Sequence, residues 1–529
     1  MGHAFAPQTL SRLIADGAKR HGDRPALVEG GEALSFVALF RLSEGLAAGL
    51  AGEGIGRGDR VAIWLPNSSW WLVGLFAAAR LGAVCVCVNT RFRAADLADI
   101  LSRSGAKALI YAPHFAGMDF QAVLSAVDPS VLARLGLAIA CGEGGGPEAA
   151  NPRTVRIEDL ARTAGRAAAS PAAEDGIVLF TTSGTTSRPK FVLHDQRSLA
   201  IHASDVAAGF QYDRPGSVLL QALPLCGTFG LAQALAALAA GAPSVLLPVF
   251  DADAARALIG EHSVTGFNGA DEMFKRILDG VGSGALASLD WCGFACFAEP
   301  RPVDFARAAE RAGLKLVGLY GMSEVQALFA RQPEHLPVEQ RALAGGLTTS
   351  AAASFRIGDP ETGGDLADCV SGELYVRGPS LFHEYFGDAD ATAHAIGADG
   401  FVRTGDLAHR TEDGRFVFET RMGDSLRLGG YLVNPAEIDA WLEQDPAIAA
   451  SQTVAAEMEG RLRPVSFVIA APGKTPDEQS LITRCRDALA RFKVPARVVT
   501  LVEFPTTDGP NGRKIQRGRL RDMARDLVG

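Results

Sequence analysis

Residues 60–89 read RVAIWLPNSSWWLVGLFAAARLGAVCVCVN, and how this run is divided decides the fold. Its apolar centre raises the question of a membrane span. A spanning helix needs about 20 consecutive, predominantly apolar residues, and Arg80 and Gly82 interrupt this one. Divided there, RVAIWLP reads as a strand, SSWWLVGLFAAARLG as a buried helix and AVCVCVN as a second strand. Residues 231–250, LAQALAALAAGAPSVLLPVF, split in the same way, being broken by Gln233, Gly241, Pro243 and Pro248. No transmembrane segment is expected.

Working outward, ALIYA (108–112), SVLLQALP (217–224) and SVLLPVF (244–250) are further aliphatic runs, with alanine-rich helical stretches between them. That alternation predicts α/β layers with largely parallel sheets. Past Ser371 the texture changes. GELYVRGPSLFHEYFG, GFVRTGDLAHRTEDGRFVFETR and DSLRLGGYLV are hairpin-like strands punctuated by Gly and Asp-Gly turns, expected as a distorted β-barrel-like subdomain. After them come α+β elements: NPAEIDAWLEQ as a helix, SQTVAAE and RPVSFVIA as strands, SLITRCRDALARF as a helix. The boundary is placed near Arg421–Asp424, giving a large domain 1–421 and a small mobile domain 422–529.

At 529 residues the chain exceeds what one core supports, so two or more domains are expected. A net charge of -9 and a pI near 5.7 argue against a broad nucleic-acid footprint. The 8 cysteines lack metal-type spacing and read as small buried hydrophobes in a reducing compartment. The start, MGHAFAPQTLSRLIADGAKR, has no apolar signal core and reads as an amphipathic helix. A cytoplasmic protein is expected.

The chemistry concentrates in FTTSGTTSRPKFVLHD (180–195), which resembles a Walker A loop and fails its pattern. Counting on from Gly184, the second glycine position holds Pro189, and Phe191 follows Lys190 where Ser or Thr is required. YGMSEV (320–325) nearly makes a nucleophile elbow, but Val325 replaces the glycine that permits the strained turn. The glycines of ACGEGGGPEAANPR do not follow a strand and open a helix, so a dinucleotide fingerprint is not supported.

TTSGTTSRPK (181–190), YGMSE (320–324), RTGDL (403–407) and NGRKIQR near the C-terminus occur in that order. The set resembles the adenylate-forming superfamily of acyl-CoA synthetases, peptide-synthetase adenylation domains and beetle luciferases, over nearly the whole chain. The resemblance implies two half-reactions. A carboxylate attacks the α-phosphate of ATP, giving an acyl-adenylate and pyrophosphate; a thiol then displaces AMP. It implies ATP, Mg²⁺ and CoA as the groups bound, and a carboxylic acid as substrate.

The resemblance also distributes roles. Thr182, Ser183, Gly184, Thr185, Thr186 and Lys190 would handle the β- and γ-phosphates. Ala298, Glu299 and Pro300 fall on the nucleotide side. Tyr320 would stack on adenine, with Gly321 and Met322 beside it, Ser323 would supply a hydroxyl and Glu324 would meet Mg²⁺. Asp406 would take the ribose hydroxyls, with Arg421 on the same ribose. Lys514 would be the mobile lysine that contacts the developing charge. After domain rotation, Arg427, Gly429 and Gly430 would line the CoA tunnel. Gly227, Phe229, Asn268 and Gly345 are the acyl-pocket candidates, small or apolar enough to suggest a mainly hydrophobic acid.

The sequence departs from the family at Ser187, Phe191 and Gly423, which puts the adenylation rate in question, and Phe191 is expected to pack inward. In LPLCGTFGL (223–231), Cys226 and Gly227 stand where relatives keep an aromatic and a His, which predicts a roomier acyl channel. Three readings stay open: an acid:CoA ligase, an enzyme loading a carrier protein in trans, and a relative using ready-made acyl-AMP.

Overall fold

The computed structural model describes residues 9–115, 117–142, 152–165, 170–181, 190–282, 284–297, 301–422, 426–428, 431–433, 435–458, 461–489, 491–509 and 512–528. Within residues 60–89, Arg60–Trp64 and Val84–Cys87 are parallel strands and Ser69–Leu81 is the helix between them. Ser68 caps that helix by accepting from Trp71 N–H, and Gly82 ends it at φ +67. The αL terminus is open to glycine at no side-chain cost, which is why the apolar run breaks there. Trp71, Leu72, Phe76 and Ala79 are buried without remainder, so the run is core. Among the described residues no helix is long and apolar enough to cross a membrane.

These strands sit inside an eight-stranded sheet. Its order is Glu384–Tyr385, Phe191–Asp195, Gly176–Thr181, Val84–Cys87, Arg60–Trp64, Ala108–Tyr111, Leu137–Ala140 and Arg153–Arg156. The pairs from Gly176–Thr181 outward to Arg153–Arg156 are parallel, as the alternating pattern predicts. The other edge is antiparallel, where Phe191–Asp195 folds back and takes Glu384–Tyr385 as its partner. A four-stranded sheet pairs Leu219–Gln221 and Ser244–Leu246 with the N-terminal hairpin Pro25–Glu29 and Glu32–Ser35.

A nine-stranded sheet holds the rest of the nucleotide motifs. Asn268–Ala270, Cys292–Ala295 and Leu316–Met322 run parallel. Gln326–Arg331, Gly345–Thr348, Phe416–Arg421, Val402–Arg410, Gly372–Arg377 and Ser354–Gly358 continue it antiparallel. Of the stretches expected as a barrel-like subdomain, Gly372–Arg377, Val402–Arg410 and Phe416–Arg421 lie in this antiparallel half, Glu384–Tyr385 joins the eight-stranded sheet, and Leu426–Leu428 pairs separately with Tyr431–Val433; the nine-stranded sheet stays open. Beyond Arg421, the hydrophobic clusters contain only residues between Leu426 and Ala524. There Ile448–Met458, Arg461–Ala470 and Arg497–Leu501 form a three-stranded sheet against the helices Pro435–Leu442 and Glu478–Ala488.

Helix Leu10–His21 forms as expected, capped by Thr9. Of the cysteines, Cys85, Cys87, Cys292 and Cys485 are buried and Cys141, Cys226 and Cys296 half-buried. Cys369 departs from the expectation: it is exposed, at φ +62, on the turn before Gly372–Arg377.

Candidate active site

The stretch FTTSGTTSRPKFVLHD contributes the end of one strand and the whole of another. Gly176–Thr181 and Phe191–Asp195 pair antiparallel with Thr181 opposite Phe191. Thr182, Ser183, Gly184, Thr185, Thr186 and Ser187 lie outside the described residues. Phe191 is buried, as expected, in a cluster with Trp64, Tyr111 and Leu193, and the Arg103 guanidinium lies 4.1 Å from its ring centre. The apolar side chain at this position thus anchors the outgoing strand. Lys190, one residue before it, is exposed, and its Nζ stands 4.3 Å from the centre of the Tyr385 ring.

YGMSE occupies the end of strand Leu316–Met322 and the tight turn into Gln326–Arg331. The start of the strand that this turn leads into is backbone-strained: Gln326 and Leu328 adopt φ +64 and +65 without being glycine. Two buried histidines brace it. His194 Nε2 is 2.7 Å from the Ser323 carbonyl and His202 Nε2 is 2.7 Å from that of Ala327. A carbonyl only accepts, so both nitrogens donate. Burial lowers both imidazoles to about 4, which keeps them neutral. Gly321 is required by close approach, since a Cβ there would come within 2.6 Å of Ala327 Cα.

Glu324 is pinned at both ends: Phe382 N–H donates to its carbonyl at 2.7 Å and the Tyr385 hydroxyl donates to Oε1 at 2.8 Å. Ser323 Oγ lies 3.5 Å from Thr228 Oγ1, the first residue of helix Thr228–Ala240. The loop carrying Glu324 therefore touches both strand Phe191–Asp195 and helix Thr228–Ala240.

Asp406 pairs across the sheet with Arg421. It is buried, accepts from the Tyr320 hydroxyl at 2.6 Å through Oδ2, and has Arg421 Nε 3.3 Å from Oδ1. Among the described residues Oδ1 receives no hydrogen bond. A buried carboxylate oxygen left unsatisfied is costly, and a sugar hydroxyl is the donor that would complete it. The Tyr320 ring is buried, edge-on to Phe416 with centres 5.2 Å apart and tilted over Phe418 at 6.0 Å. Met322 Sδ lies 3.9 Å from the Tyr320 hydroxyl.

Burial raises the Asp406 carboxyl to about 6, against the opposing pull of Arg421. A folded-state value above the ordinary ~3.9 means that ionisation disfavours the fold as pH rises through about 6. If ribose hydroxyls are the donors to Asp406, as the resemblance implies, they favour its ionised form, and nucleotide binding gains over the same interval. The KM for ATP should rise below about pH 6, by up to about tenfold per unit. Dividing the profile by that of Asp406→Asn removes the titration of ATP itself; superimposable profiles would sink this account.

The remaining candidates are placed as follows. Gly227 caps helix Thr228–Ala240 at φ −106, where a Cβ would meet only Pro224 O at 3.5 Å. Phe229 is buried among apolar residues. Asn268 is buried too, its Nδ2 donating to Tyr212 Oη at 2.6 Å and to Gln233 Oε1 at 3.1 Å. Gly345 lies at φ +119, where a Cβ would fall 2.3 Å from Phe416 O, so its glycine serves the crossing of two strands. Phe297, just before the undescribed Ala298, Glu299 and Pro300, donates its N–H to Asp271 at 3.0 Å. Arg427 lies in the strand Leu426–Leu428 and Lys514 in Gly512–Ile515, while Gly423, Gly429 and Gly430 fall outside the described residues. Sequence reasoning missed Tyr385, His194 and His202.

Residues 14–386 match the family described as AMP-binding enzyme. The chain belongs to the AMP-binding enzyme family. Its relatives include the methyl-dioxo-octahydroindenyl-propanoyl:CoA ligase of Mycobacterium tuberculosis, 30% identical over 98% of this chain and 98% of the other. The sulfoacetate–CoA ligase of Cupriavidus necator is also 30% identical, over 98% of each. The long-chain-fatty-acid–CoA ligase of Salmonella typhimurium is 27% identical over 98% and 95%. ATP-bound MatB from Rhodopseudomonas palustris shares the fold at a TM-score of 0.83 and 24% identity, covering 98% of this chain and 100% of that one. This AMP-binding enzyme is an acid–thiol ligase: it uses ATP with Mg²⁺ to form an acyl-adenylate and CoA as the acceptor. Among the described residues no cluster of three metal-ligating side chains exists.

Proposed function

We propose that the acid this CoA ligase activates is mainly hydrophobic and that the enzyme works in the cytoplasm. Gly227 is the observation that carries the reading. It sits at the head of a buried apolar helix with Phe229 two residues on, and it adds no bulk of its own. The bicyclic and fatty acyl groups named for relatives point the same way; the sulfoacetate ligase is the counter-example. A pyrophosphate-release panel of fatty, aryl and polycyclic acids with sulfoacetate tests it, and a preference for sulfoacetate would overturn it.

In this reading Lys190 and the loop before it hold the phosphates, Tyr320, Asp406 and Arg421 hold the nucleoside, and Glu324 meets the Mg²⁺ of MgATP. The acid's carboxylate displaces pyrophosphate. The segment after Arg421 then turns at residues 421–424, exchanging Lys514 for the face with Arg427, Gly429 and Gly430, and the CoA thiol displaces AMP.

Gly227→His tests the channel. The backbone there is open to any residue and, among the described residues, a Cβ would meet only Pro224 O at 3.5 Å, so the variant should fold. Its kcat/KM should fall for large acids, by about tenfold or more, and stay near wild type for small ones, in line with pocket discrimination of ~10–200-fold. Unchanged relative kcat/KM across the panel would sink the idea.

Ser187 and Gly423 favour a second reading, an enzyme specialised for thioesterification of supplied acyl-AMP. Absence of acid-dependent pyrophosphate release would select it. Loading of a carrier protein in preference to CoA-dependent AMP release would select a carrier-loading enzyme.

A further inference from the structure

We infer that Tyr385 is a positioning residue for MgATP, its hydroxyl orienting Glu324 and its ring seating Lys190. This rests on the reading of Glu324 as the carboxylate that meets the metal. The Tyr385 hydroxyl donates to Glu324 Oε1 at 2.8 Å, and its ring centre lies 4.3 Å from Lys190 Nζ. One side chain thus contacts the carboxylate and the ammonium that the two nucleotide motifs contribute.

Tyr385 is itself held firmly. It is buried, its strand pairs with Val192, and its N–H donates to Thr392 Oγ1 at 2.9 Å. Phe382 packs against its ring at 4.8 Å. A side chain so fixed transmits its geometry to whatever it touches. Glu324 is 9% exposed, and among the described residues its second oxygen, Oε2, accepts no hydrogen bond. A nearly buried carboxylate with one oxygen bound and one open is complementary to a cation. The hydroxyl fixes the rotamer, and Oε2 is what remains to ligate. An ordinary core tyrosine would bond a backbone carbonyl as readily; this one bonds the carboxylate of the YGMSE motif.

The ring contact is separable from the hydroxyl. Lys190 rests on the π face, which Tyr385→Phe keeps and Tyr385→Leu removes. Partners of ligating side chains typically contribute about 10–100-fold to metal affinity. Y385F should therefore weaken Mn²⁺ binding to the enzyme–ATP complex, followed by electron paramagnetic resonance, by about 10–100-fold. The Mg²⁺ half-saturation of adenylation should rise in parallel. Y385L should in addition raise the KM for ATP at saturating Mg²⁺.

E324Q separates the two claims. If E324Q leaves Mn²⁺ binding unchanged, the reading of Glu324 fails and this inference with it. If E324Q weakens binding and Y385F does not, the positioning role alone is overturned. Thioester formation from supplied acyl-AMP uses neither the metal nor Lys190, and its loss in Y385F would also overturn the inference, as the mark of a merely structural residue.

Discussion

Replacing Lys514 by alanine is expected to lower acyl-adenylate formation by about 10²–10³-fold, or roughly 3–4 kcal/mol, while thioester formation from supplied acyl-AMP is largely spared. The size follows from removing one preorganised charge aimed at the α-phosphate as pyrophosphate departs. The sparing follows from the proposed rotation, which would take Lys514 away before the thiol attacks. Local structure does not oppose the test. Lys514 lies on a two-stranded hairpin opposite Thr507, and the core beside it is built from Val454, Phe467, Leu520 and Ala524. Pyrophosphate exchange reads the first half-reaction and thiolysis of synthetic acyl-AMP the second. Equal loss of both would contradict the rotating-domain account, and loss of neither would remove Lys514 from the mechanism.

The parts of the fold legible in the sequence are those with local causes. Residues 60–89 divide at Gly82 because a helix C-terminus needs an αL residue, and that need is met within the segment itself. The parallel half of the eight-stranded sheet follows from alternation, and the motifs fall at strand ends and turns, where side chains can face a ligand. Tyr385 had no such signal. It belongs to a two-residue strand, and the carboxylate that it bonds lies 61 residues away in the chain. His194 reaches Ser323 across 129 residues and His202 reaches Ala327 across 125. No periodicity reports a contact of that kind. Gly345 and Asn268 illustrate the converse: a small residue and a polar one read as pocket candidates also answer to a close strand crossing and a buried amide network.

Asn67 offers the largest stability effect. Its carboxamide is buried between two sheets, just past strand Arg60–Trp64. Nδ2 donates to the carbonyls of Gln221, Leu223 and Leu247 at 3.3, 3.0 and 3.0 Å, and Oδ1 accepts from Leu225 N–H at 2.8 Å. Not all four partners are equally exposed to its loss. The Gln221 carbonyl keeps Leu247 N–H, and that of Leu223 keeps Gln221 Nε2. The cost of Asn67→Ala falls on Leu225 N–H and the Leu247 carbonyl. Two buried groups left unsatisfied, at about 1–3 kcal/mol each, predict a loss on the order of 2–6 kcal/mol. Leu225 stands two residues before Gly227, so the same change should loosen the acyl wall. The urea midpoint should fall, and the KM for the acid should rise more than that for ATP. An unchanged midpoint would show that water replaces the amide at no cost. A fallen midpoint with both KM values unmoved would confine Asn67 to the fold and detach it from the acyl site.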